Sequence, residues 1–263
     1  MKLSAIIIAK NAEGEIADAI SSLDFADEVI VVDNGSSDRT VEIAQYLKAK
    51  VFTSSSSDFS QLRNLGLQKA LGEWVLYIDT DERVTSELAS SIKHQVVRTK
   101  NNEFAAFKIK RKNFYLGNHE WPFIEKIERL FRKDSLKGWR GELHESPIVE
   151  GPPVGGVELE GFLLHYTHND PRSMLVKTIE WSKIEAELRF KAGHPRMTWW
   201  RFLRVILTAF FNSYIRQEGW RVGTVGIIES LYQAFSIFIT YARLWEMQQE
   251  KVKSQNAKVK TTT

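Results

Sequence analysis

A short apolar run that ends on two carboxylates constrains the fold of this chain most strongly. Residues 74–78 read Trp-Val-Leu-Tyr-Ile, and Asp79 and Asp81 come at its end. Continuous apolar runs of this length are typical of strands buried on both faces of a parallel sheet. In open α/β sheets, ligands bind beyond the carboxyl ends of such strands. The run therefore predicts a buried strand that delivers both aspartates to a functional site.

The two aspartates suit a divalent cation. Their carboxylate oxygens are the ligands that Mg²⁺ and Mn²⁺ prefer, and a bound cation would hold a diphosphate. If the chain bends where the strand ends, both carboxylates can meet one cation from the same side. The alternative is that Thr85 caps the next helix and that Asp81 and Glu82 are solvated acids in front of it. A D-x-D pattern alone does not decide between these interpretations.

The first hundred residues alternate between strand-like and helix-like patterns. Strands are predicted to end at Ala9, to occupy residues 29–32 and 51–53, and to end at Asp79. The helices between and after them are predicted to end near residue 23, to include residues 41–47, and to span residues 61–71 and 86–98. This alternation implies right-handed crossovers, and therefore an α/β fold with a doubly wound, mostly parallel sheet.

The pattern changes after residue 100. Residues 104–111 alternate between apolar and polar types, and short β-like segments follow at 128–132, 138–145 and 157–164. We predict a small antiparallel portion that closes over the sheet and builds a second pocket. Residues 1–168 then form one domain, with a nucleotide-binding half at 1–100 and a second half at 101–168.

Residues 169–250 are predicted to form a helical extension, which begins at the capping sequence Asn169-Asp170-Pro171. From residue 197 it is rich in aromatic and aliphatic residues. A membrane span needs about 20 mostly apolar residues, but arginines interrupt the first apolar stretch, and Glu229 and Gln233 interrupt the second. The pattern favours helices that lie on a membrane surface. Packing on the protein, dimerisation and true spanning are the alternatives. The basic tail, 251–263, is predicted to be disordered.

Composition limits the kinds of site and partner that the chain can have. The 263 residues carry a net charge of +3 and include no cysteine. Disulfides and thiolate metal sites are therefore excluded, and nucleic acid is not indicated as a partner. The apolar run after Met1-Lys2 is too short for a signal peptide, so we expect a cytoplasmic protein.

Several short motifs together resemble those of a known family. In order along the chain they are Lys10-Asn11-Ala12-Glu13, Val31-Val32-Asp33-Asn34-Gly35-Ser36-Ser37-Asp38, Arg63-Asn64, Gly72, Asp79-Thr80-Asp81-Glu82, Arg129-Leu130-Phe131-Arg132 and Leu143-His144-Glu145. The series resembles the inverting family 2 glycosyltransferases of GT-A fold. It is most similar to the bacterial β-1,4-glucosyltransferases that build the inner core of lipopolysaccharide or lipooligosaccharide. The resemblance covers the first hundred residues strongly and continues into the second half.

The resemblance implies roles for residues in the nucleotide-binding half. Asn11, Glu13 and Asp33 are expected to line the nucleoside pocket, although each can instead cap a turn. Arg63 is expected beside the donor diphosphate, because a guanidinium fork matches phosphate geometry. Its alternative is a surface ion pair with Asp58. Asp79 is expected to contact the ribose or a metal-bound water.

The resemblance also implies a metal site and a base. Asp81 and His165 are expected to hold Mg²⁺ or Mn²⁺, with the nearby His168 as the alternative to His165. Glu145 is expected to take the proton from the acceptor hydroxyl. Glu142 is the alternative base, unless it pairs with Arg140, and His144 can orient either acid.

The implied function is transfer of a hexose, such as glucose, from a UDP-sugar to a lipopolysaccharide core or another lipid-linked glycan. We also expect the protein to bind the inner face of the cytoplasmic membrane peripherally, with a homodimer as a further possibility. Two other classes stay open. A sugar-phosphate nucleotidyltransferase would need a glycine-rich phosphate loop, and residues 11–14 are not one. A noncatalytic nucleotide-binding scaffold at the membrane would make the acidic residues incidental.

Overall fold

A computed structural model describes residues 2–56, 58–98, 104–141, 145–151 and 158–261, with the backbone alone described for 254–261. The chain divides into two compact units. The first comprises Met1–Asn113 and Ile124–Tyr166, and the second comprises Phe114–Phe123 and Thr167–Thr263. The predicted boundary at residue 168 is close to this division, but residues 114–123 belong to the second unit. In that unit the backbone of Phe114 accepts a hydrogen bond from Thr167, and Leu116 donates one to His168.

The first unit carries most of the strands. Its helices are α1 (Ile16–Ser21), α2 (Thr40–Tyr46), α3 (Phe59–Lys69) and α4 (Ser86–Arg98). The strands, numbered along the whole chain, are β1 (Leu3–Ala9), β2 (Glu28–Asp33), β3 (Lys50–Thr53), β4 (Trp74–Asp79), β5 (Glu82–Val84), β6 (Ala106–Tyr115), β7 (His119–Glu120), β8 (Glu125–Arg132), β9 (Leu136–Arg140), β10 (Ser146–Val149) and β11 (Leu163–Tyr166). The short β7 lies in the second unit, where it pairs with Phe114 and Tyr115.

The sheet joins a parallel portion to an antiparallel one. Its strand order is β3-β2-β1-β4-β8-β6-β11-β5. The first four strands in this order are parallel, whereas β8 runs antiparallel to β4 and to β6. From β1 the chain moves to β2 and β3 on one side and later returns to β4 on the other. The carboxyl ends of β1 and β4 therefore flank a topological switch point, where such sheets bind ligands.

The core explains why the central strands read as continuous apolar runs. Alternate residues of β4 face opposite sides: Leu76 and Ile78 pack with α1 and α4, whereas Val75 and Tyr77 pack with α3. All four side chains are fully buried. Helices cover both faces of the parallel portion, so no polar face is needed.

Two predicted β segments differ from the structure. Of the segment predicted at 138–145, residues 138–140 form the end of β9, and residues 142–144 lie outside the described part. Strand β10 begins just after the segment, at Ser146, and pairs with β9. Of the segment predicted at 157–164, only Leu163 and Leu164 are in a strand, and residue 157 is not described. Strand β5, with three residues, was not predicted.

The second unit is mainly helical. It contains α5 (Pro171–Lys191), α6 (Trp199–Phe211) and α7 (Gly223–Thr261), with a π-helical turn at Asn212–Arg216 and a 3₁₀ turn at Gly219–Val222. As predicted, Asp170 caps α5: its carboxylate accepts a hydrogen bond from the Ser173 N–H. Helix α7 continues to Thr261, into the segment for which the sequence predicts a disordered tail. Residues 251–261 include four lysines, and lysine is a good helix former.

Both α6 and α7 expose apolar side chains. Among the described residues, one helical stretch, Gly219–Lys253, is long and apolar enough in composition to cross a membrane. Core helices of soluble proteins meet the same criteria. Glu229, which interrupts the apolar pattern of α7, is 1% exposed. Its carboxylate contacts His168 Nδ1 at 3.1 Å and accepts a hydrogen bond from Gln233.

Replacing Gly161 by alanine should destabilise the first unit. Gly161 has φ +82°, and an added Cβ would lie 2.2 Å from the Leu88 backbone nitrogen at the start of α4. The left-handed conformation and this overlap together predict a loss of about 2–4 kcal/mol in the free energy of unfolding. Urea denaturation measures it. Gly14→Ala is the control, because its Cβ would meet nothing within 4 Å; equal stability of the two variants would contradict the prediction.

Candidate active site

The carboxyl ends of β1, β2 and β4 lie side by side. In the sheet register, Ala9 is opposite Asp33 and Ile8 is opposite Asp79. The loops that follow these strands carry the polar residues singled out in the sequence. Parallel pairing therefore gathers residues from three separate segments at one edge, as predicted for an α/β sheet.

Asn11, Glu13 and Asp33 connect two neighbouring loops. Asn11 has φ +49°, and its Oδ1 accepts a hydrogen bond from the Ser37 N–H at 2.8 Å. Glu13 accepts one from the Arg39 N–H at 3.1 Å. Asp33 is buried and accepts from Gly35 and Ser36. All three make the loop-capping contacts left open as an alternative, and their expected role at the nucleoside stays a prediction.

Arg63 links two of the predicted site residues. Its Nε donates to Glu145 Oε1 at 2.6 Å, and its Nη2 donates to Asp79 Oδ1 at 3.1 Å. The side chain is 6% exposed, and the alternative, a surface ion pair with Asp58, is not formed; Asp58 caps α3 instead. Arg63 thus brings the predicted base and the end of β4 together.

Aromatic rings and one unsatisfied nitrogen complete the surroundings of Arg63. The guanidinium carbon lies 4.9 Å from the centre of the Trp139 ring and 5.6 Å from that of Tyr77, so cation–π attraction holds it in place. The Tyr77 hydroxyl donates to the backbone carbonyl of Arg63 at 3.1 Å. Arg63 Nη1 is buried and has no hydrogen-bond partner among the described residues.

Glu82, which the alternative interpretation of the sequence makes a solvated acid, is fully buried. Its carboxylate accepts hydrogen bonds from Arg111 Nη1 at 2.9 Å, from Arg129 Nη2 at 3.3 Å and from the Asp79 N–H at 2.9 Å. Arg129 also donates to Asp79 Oδ2 at 2.7 Å. The arginines and carboxylates therefore alternate in one connected network.

The network sets the charge of its members. Burial favours the neutral form of Asp79, but the nearby charges of Arg129 and Arg63 and a hydrogen bond from Arg129 outweigh it and hold its pKa well below the usual range. Burial opposes the charge of Arg129, yet Asp79 and Glu82 raise its pKa. Burial likewise raises the pKa of Glu125, but Arg111 and a hydrogen bond from Asn113 bring it below its usual value.

Asp81 has different partners from Asp79. His165 Nε2 lies 3.3 Å from Asp81 Oδ2, and the Tyr166 N–H donates to the Asp81 carbonyl. Asp79 points into the arginine network and Asp81 toward the histidine, so the two carboxylates have different partners, and a cation shared by both stays a prediction. The alternative histidine, His168, contacts Glu229 within the second unit.

The surroundings of His165 fit a metal ligand. The Asn113 amide donates to the Glu125 carboxylate, so its Oδ1 accepts from His165 Nδ1 at 2.7 Å. With Nδ1 donating to Asn113, the ring presents Nε2 to the Asp81 carboxylate. This nitrogen and the carboxylate oxygen can share a proton or coordinate one metal ion. Among the described residues no group of three acidic or histidine side chains is placed to hold a metal, so a bound ion would need further oxygens from a ligand and water.

The comparison with protein families decides the assignment. The model of glycosyl transferase family 2 matches residues 4–147, which is more than half of the chain. The chain belongs to glycosyl transferase family 2. This match confirms the family predicted from the motifs, and the sheet order confirms the expected GT-A fold, in which a mostly parallel sheet is followed by C-terminal helices.

Relatives of this glycosyltransferase align over nearly its full length. An uncharacterized glycosyltransferase of Rickettsia typhi is 28% identical and covers 97% of this chain and 89% of its own. The lipopolysaccharide core biosynthesis glycosyltransferase LpsC of Rhizobium meliloti is 26% identical, and the alignment covers 94% of this chain and 93% of LpsC. A solved mannosyltransferase of Pyrobaculum calidifontis is similar in fold, with a TM-score of 0.54 and 12% identity over 93% of this chain and 87% of its own.

The structure thus brings most of the predicted site residues of the glycosyltransferase into the first unit. Arg63 pairs with both Glu145 and Asp79, and Asp81 faces His165. The alternative base Glu142 and the orienting His144 lie outside the described residues. Sequence reasoning missed Glu82, Arg111 and Arg129 as site residues. The signal available for Glu82 and Arg129 was their position within two of the motifs that carry the family resemblance.

Replacing Arg129 by glutamine should destabilise the enzyme strongly. The change leaves the carboxylates of Glu82 and Asp79 with one guanidinium fewer, and breaking a buried ion pair costs about 3–5 kcal/mol. Urea denaturation at neutral pH measures the loss. Because the pKa of Asp79 is lowered in the folded state, this stabilisation exists above the unfolded value of about 3.9. The cost of the substitution should therefore shrink as the pH falls below it.

Arg132→Gln is the matched control. Arg132 lies three residues further along β8 and pairs at 2.9 Å with Asp134, whose side chain is 63% exposed. Such surface pairs contribute at most about 1 kcal/mol. If both arginine variants lost the same stability, the buried network would not be a main support of the fold.

Proposed function

We propose that this glycosyltransferase moves a hexose, glucose in the first instance, from a UDP-sugar to a lipopolysaccharide core or another lipid-linked glycan. One observation carries the proposal: within a family 2 chain, the Asp81–His165 pair and the Arg63–Glu145 pair lie at the same switch point of the sheet. The name of the Rhizobium meliloti relative supports the acceptor class. The mannosyltransferase that shares the fold was solved with GDP-Man and Mn²⁺, which supports a nucleotide-sugar donor and a metal.

The donor is proposed to bind across the ends of β1, β2 and β4. Asn11, Glu13 and Asp33 surround the nucleoside, and Asp33 accepts hydrogen bonds from it in addition to its loop contacts. Arg63 faces the diphosphate, and its Nη1, which has no partner among the described residues, donates to a phosphate oxygen. Charge-assisted hydrogen bonds of this kind are the stronger ones. Asp79 holds Arg63 in position and contacts the ribose.

Asp81 and His165 are proposed to hold Mg²⁺ or Mn²⁺. When bound, the ion supplies positive charge that stabilises the diphosphate leaving group. The chain's own contribution is to orient both ligands. Asn113 fixes the tautomer of His165. The pairing of β11 with β5 places His165 opposite Glu82, and Glu82 directly follows Asp81 in the chain.

Glu145 is proposed as the base. The acceptor hydroxyl oxygen attacks the anomeric carbon from the face opposite the nucleotide, and the bond from that carbon to the diphosphate breaks, so the configuration inverts. The hydroxyl proton passes to the Glu145 carboxylate, and the diphosphate leaves with the bonding electrons. A positioned base contributes about 10²–10⁴-fold to such a rate. The hydrogen bond from Arg63 Nε holds the carboxylate in one orientation.

The second unit is proposed to bind the inner face of the cytoplasmic membrane peripherally, where a lipid-linked acceptor is available. Its support is the exposed apolar surface of α6, the 3₁₀ turn and α7, which includes Trp199, Trp200, Phe211 and Trp220. Aromatic and aliphatic side chains next to arginines are typical of helices that lie in the interface of a bilayer.

Removing the metal ligand should abolish donor binding and transfer together. We expect titration calorimetry to show UDP-glucose binding to the wild-type enzyme with Mn²⁺, and little binding with a chelator or in Asp81→Asn. Asp24→Asn, at an exposed position in the same unit, should behave as wild type. Transfer by Asp81→Asn at the normal rate would contradict metal catalysis. Tighter binding of GDP-mannose than of UDP-glucose would refute the proposed donor.

Replacing the base should affect the rate and not donor affinity. Glu145→Gln keeps the shape of the side chain but accepts no proton, so kcat should fall by about 10²–10⁴-fold. Transfer to truncated lipooligosaccharide gives the rate, and calorimetry gives donor affinity. Glu142→Gln is the comparison and should change kcat far less. A large loss confined to Glu142→Gln would move the base to that residue.

A further inference from the structure

Helix α6 and the π-helical turn after it expose two neighbouring rows of side chains, each with a spacing of four residues. Residues spaced by four follow one another along a helix face. The first row is apolar and consists of Trp199, Leu203, Leu207, Phe211 and Ile215. The second row consists of Trp200, Arg204, Thr208, Asn212 and Arg216. A face of this kind places apolar and cationic groups side by side over the same length of chain.

The two rows enclose a shallow groove of about 310 Å³. Leu207 and Phe211 line it from the apolar row, and Arg204, Thr208, Asn212 and Arg216 line it from the polar row. Its far end is formed by the π-helical turn Asn212–Arg216. Such turns are rare and frequent at functional sites. The groove therefore offers apolar, hydroxyl, amide and guanidinium groups to one ligand.

The charge around the groove is positive. Residues 188–217 include six arginines and lysines and no aspartate or glutamate. Within the part of the chain that the structure describes, neither Arg204 nor Arg216 takes part in an ion pair. The guanidinium carbon of Arg204 lies 5.6 Å from the centre of the Trp200 ring. Two exposed cations without counter-charges beside apolar side chains complement an anion that is itself attached to apolar chains.

We infer that this groove binds the phosphate-bearing headgroup of an anionic phospholipid. Arg204 and Arg216, with Thr208 and Asn212 between them, face the headgroup, and Leu207 and Phe211 face the start of the acyl chains. The inference rests on the proposed membrane-bound function and adds to it a lipid class and the residues that select it. A soluble phosphate would leave the apolar row in water, whereas a phospholipid covers both rows.

The test compares binding of the full-length enzyme to two kinds of vesicle, without sugar donor. One kind is phosphatidylcholine alone, and the other contains phosphatidylglycerol as a minor component. We expect wild type to prefer the anionic vesicles. Arg204→Gln/Arg216→Gln should lower binding to them by about thirtyfold, at about 1 kcal/mol for each arginine near a charged surface. Binding to phosphatidylcholine should change little, because the apolar row is intact.

A second double variant separates a specific groove from general charge. Arg172→Gln/Lys183→Gln removes the same net charge from exposed positions of α5 and should keep most of the preference. If the two double variants lost the same amount of binding to anionic vesicles, or if wild type showed no preference for them, headgroup binding in the groove would be refuted. The proposed membrane binding would not be affected by either result. Wild type that binds neither vesicle and sediments as a dimer would assign the face to a second copy and refute the proposed membrane binding as well. Transfer activity, measured separately, is independent of all these outcomes.

Discussion

The buried carboxylate of Glu82 is the constraint on which the first unit depends. An isolated charge in a protein interior costs several kcal/mol, and paired charges offset that cost only with good geometry and full hydrogen bonding. Glu82 has these partners in the Asp79 N–H, Arg111 and Arg129. Arg111 lies on β6 and Arg129 on β8, so both antiparallel strands must occupy their places for the carboxylate to be satisfied. The antiparallel portion is thus attached to the parallel one by charge as well as by backbone pairing.

The same network prepares the site before any ligand arrives. Arg129 joins Glu82 to Asp79, and Arg63 joins Asp79 to Glu145. Groups held in this way need little reorganisation when charge develops during a reaction. The end of strand β4 explains why the two aspartates of the D-x-D pattern have different partners. Extended residues two apart share a face only while the strand continues, and after Asp79 the strand has ended. Asp79 is therefore a member of the arginine network, and Asp81 is left to face His165.

What the sequence predicts well is what depends on local pattern. Apolar runs and helical spacing predict β1 to β4 and α1 to α4 to within a few residues, and the rule for parallel sheets predicts the edge at which polar groups gather. The network could not be predicted because its members are distant in the chain: Glu82 pairs with residues 29 and 47 positions away. Nothing local distinguishes a buried glutamate from the solvated acid expected before a helix. The short strand β5 was missed for the same reason, since only its pairing with β11 defines it.

The second unit shows how charge along a sequence differs from charge on a surface. In the sequence, Glu229 and Gln233 divide an apolar stretch and argue against a helix that spans the membrane. In the fold, Glu229 is turned inward, where His168 and Gln233 satisfy its carboxylate, so it adds no charge to the outside of α7. The outward residues around it, Ile227, Ile228 and Leu231, are apolar and exposed. The arginines of α6, by contrast, remain outside. When charges are counted on the exposed face of the helices, and not over a stretch of consecutive residues, the surface is apolar and cationic. An anionic bilayer attracts a surface of this kind.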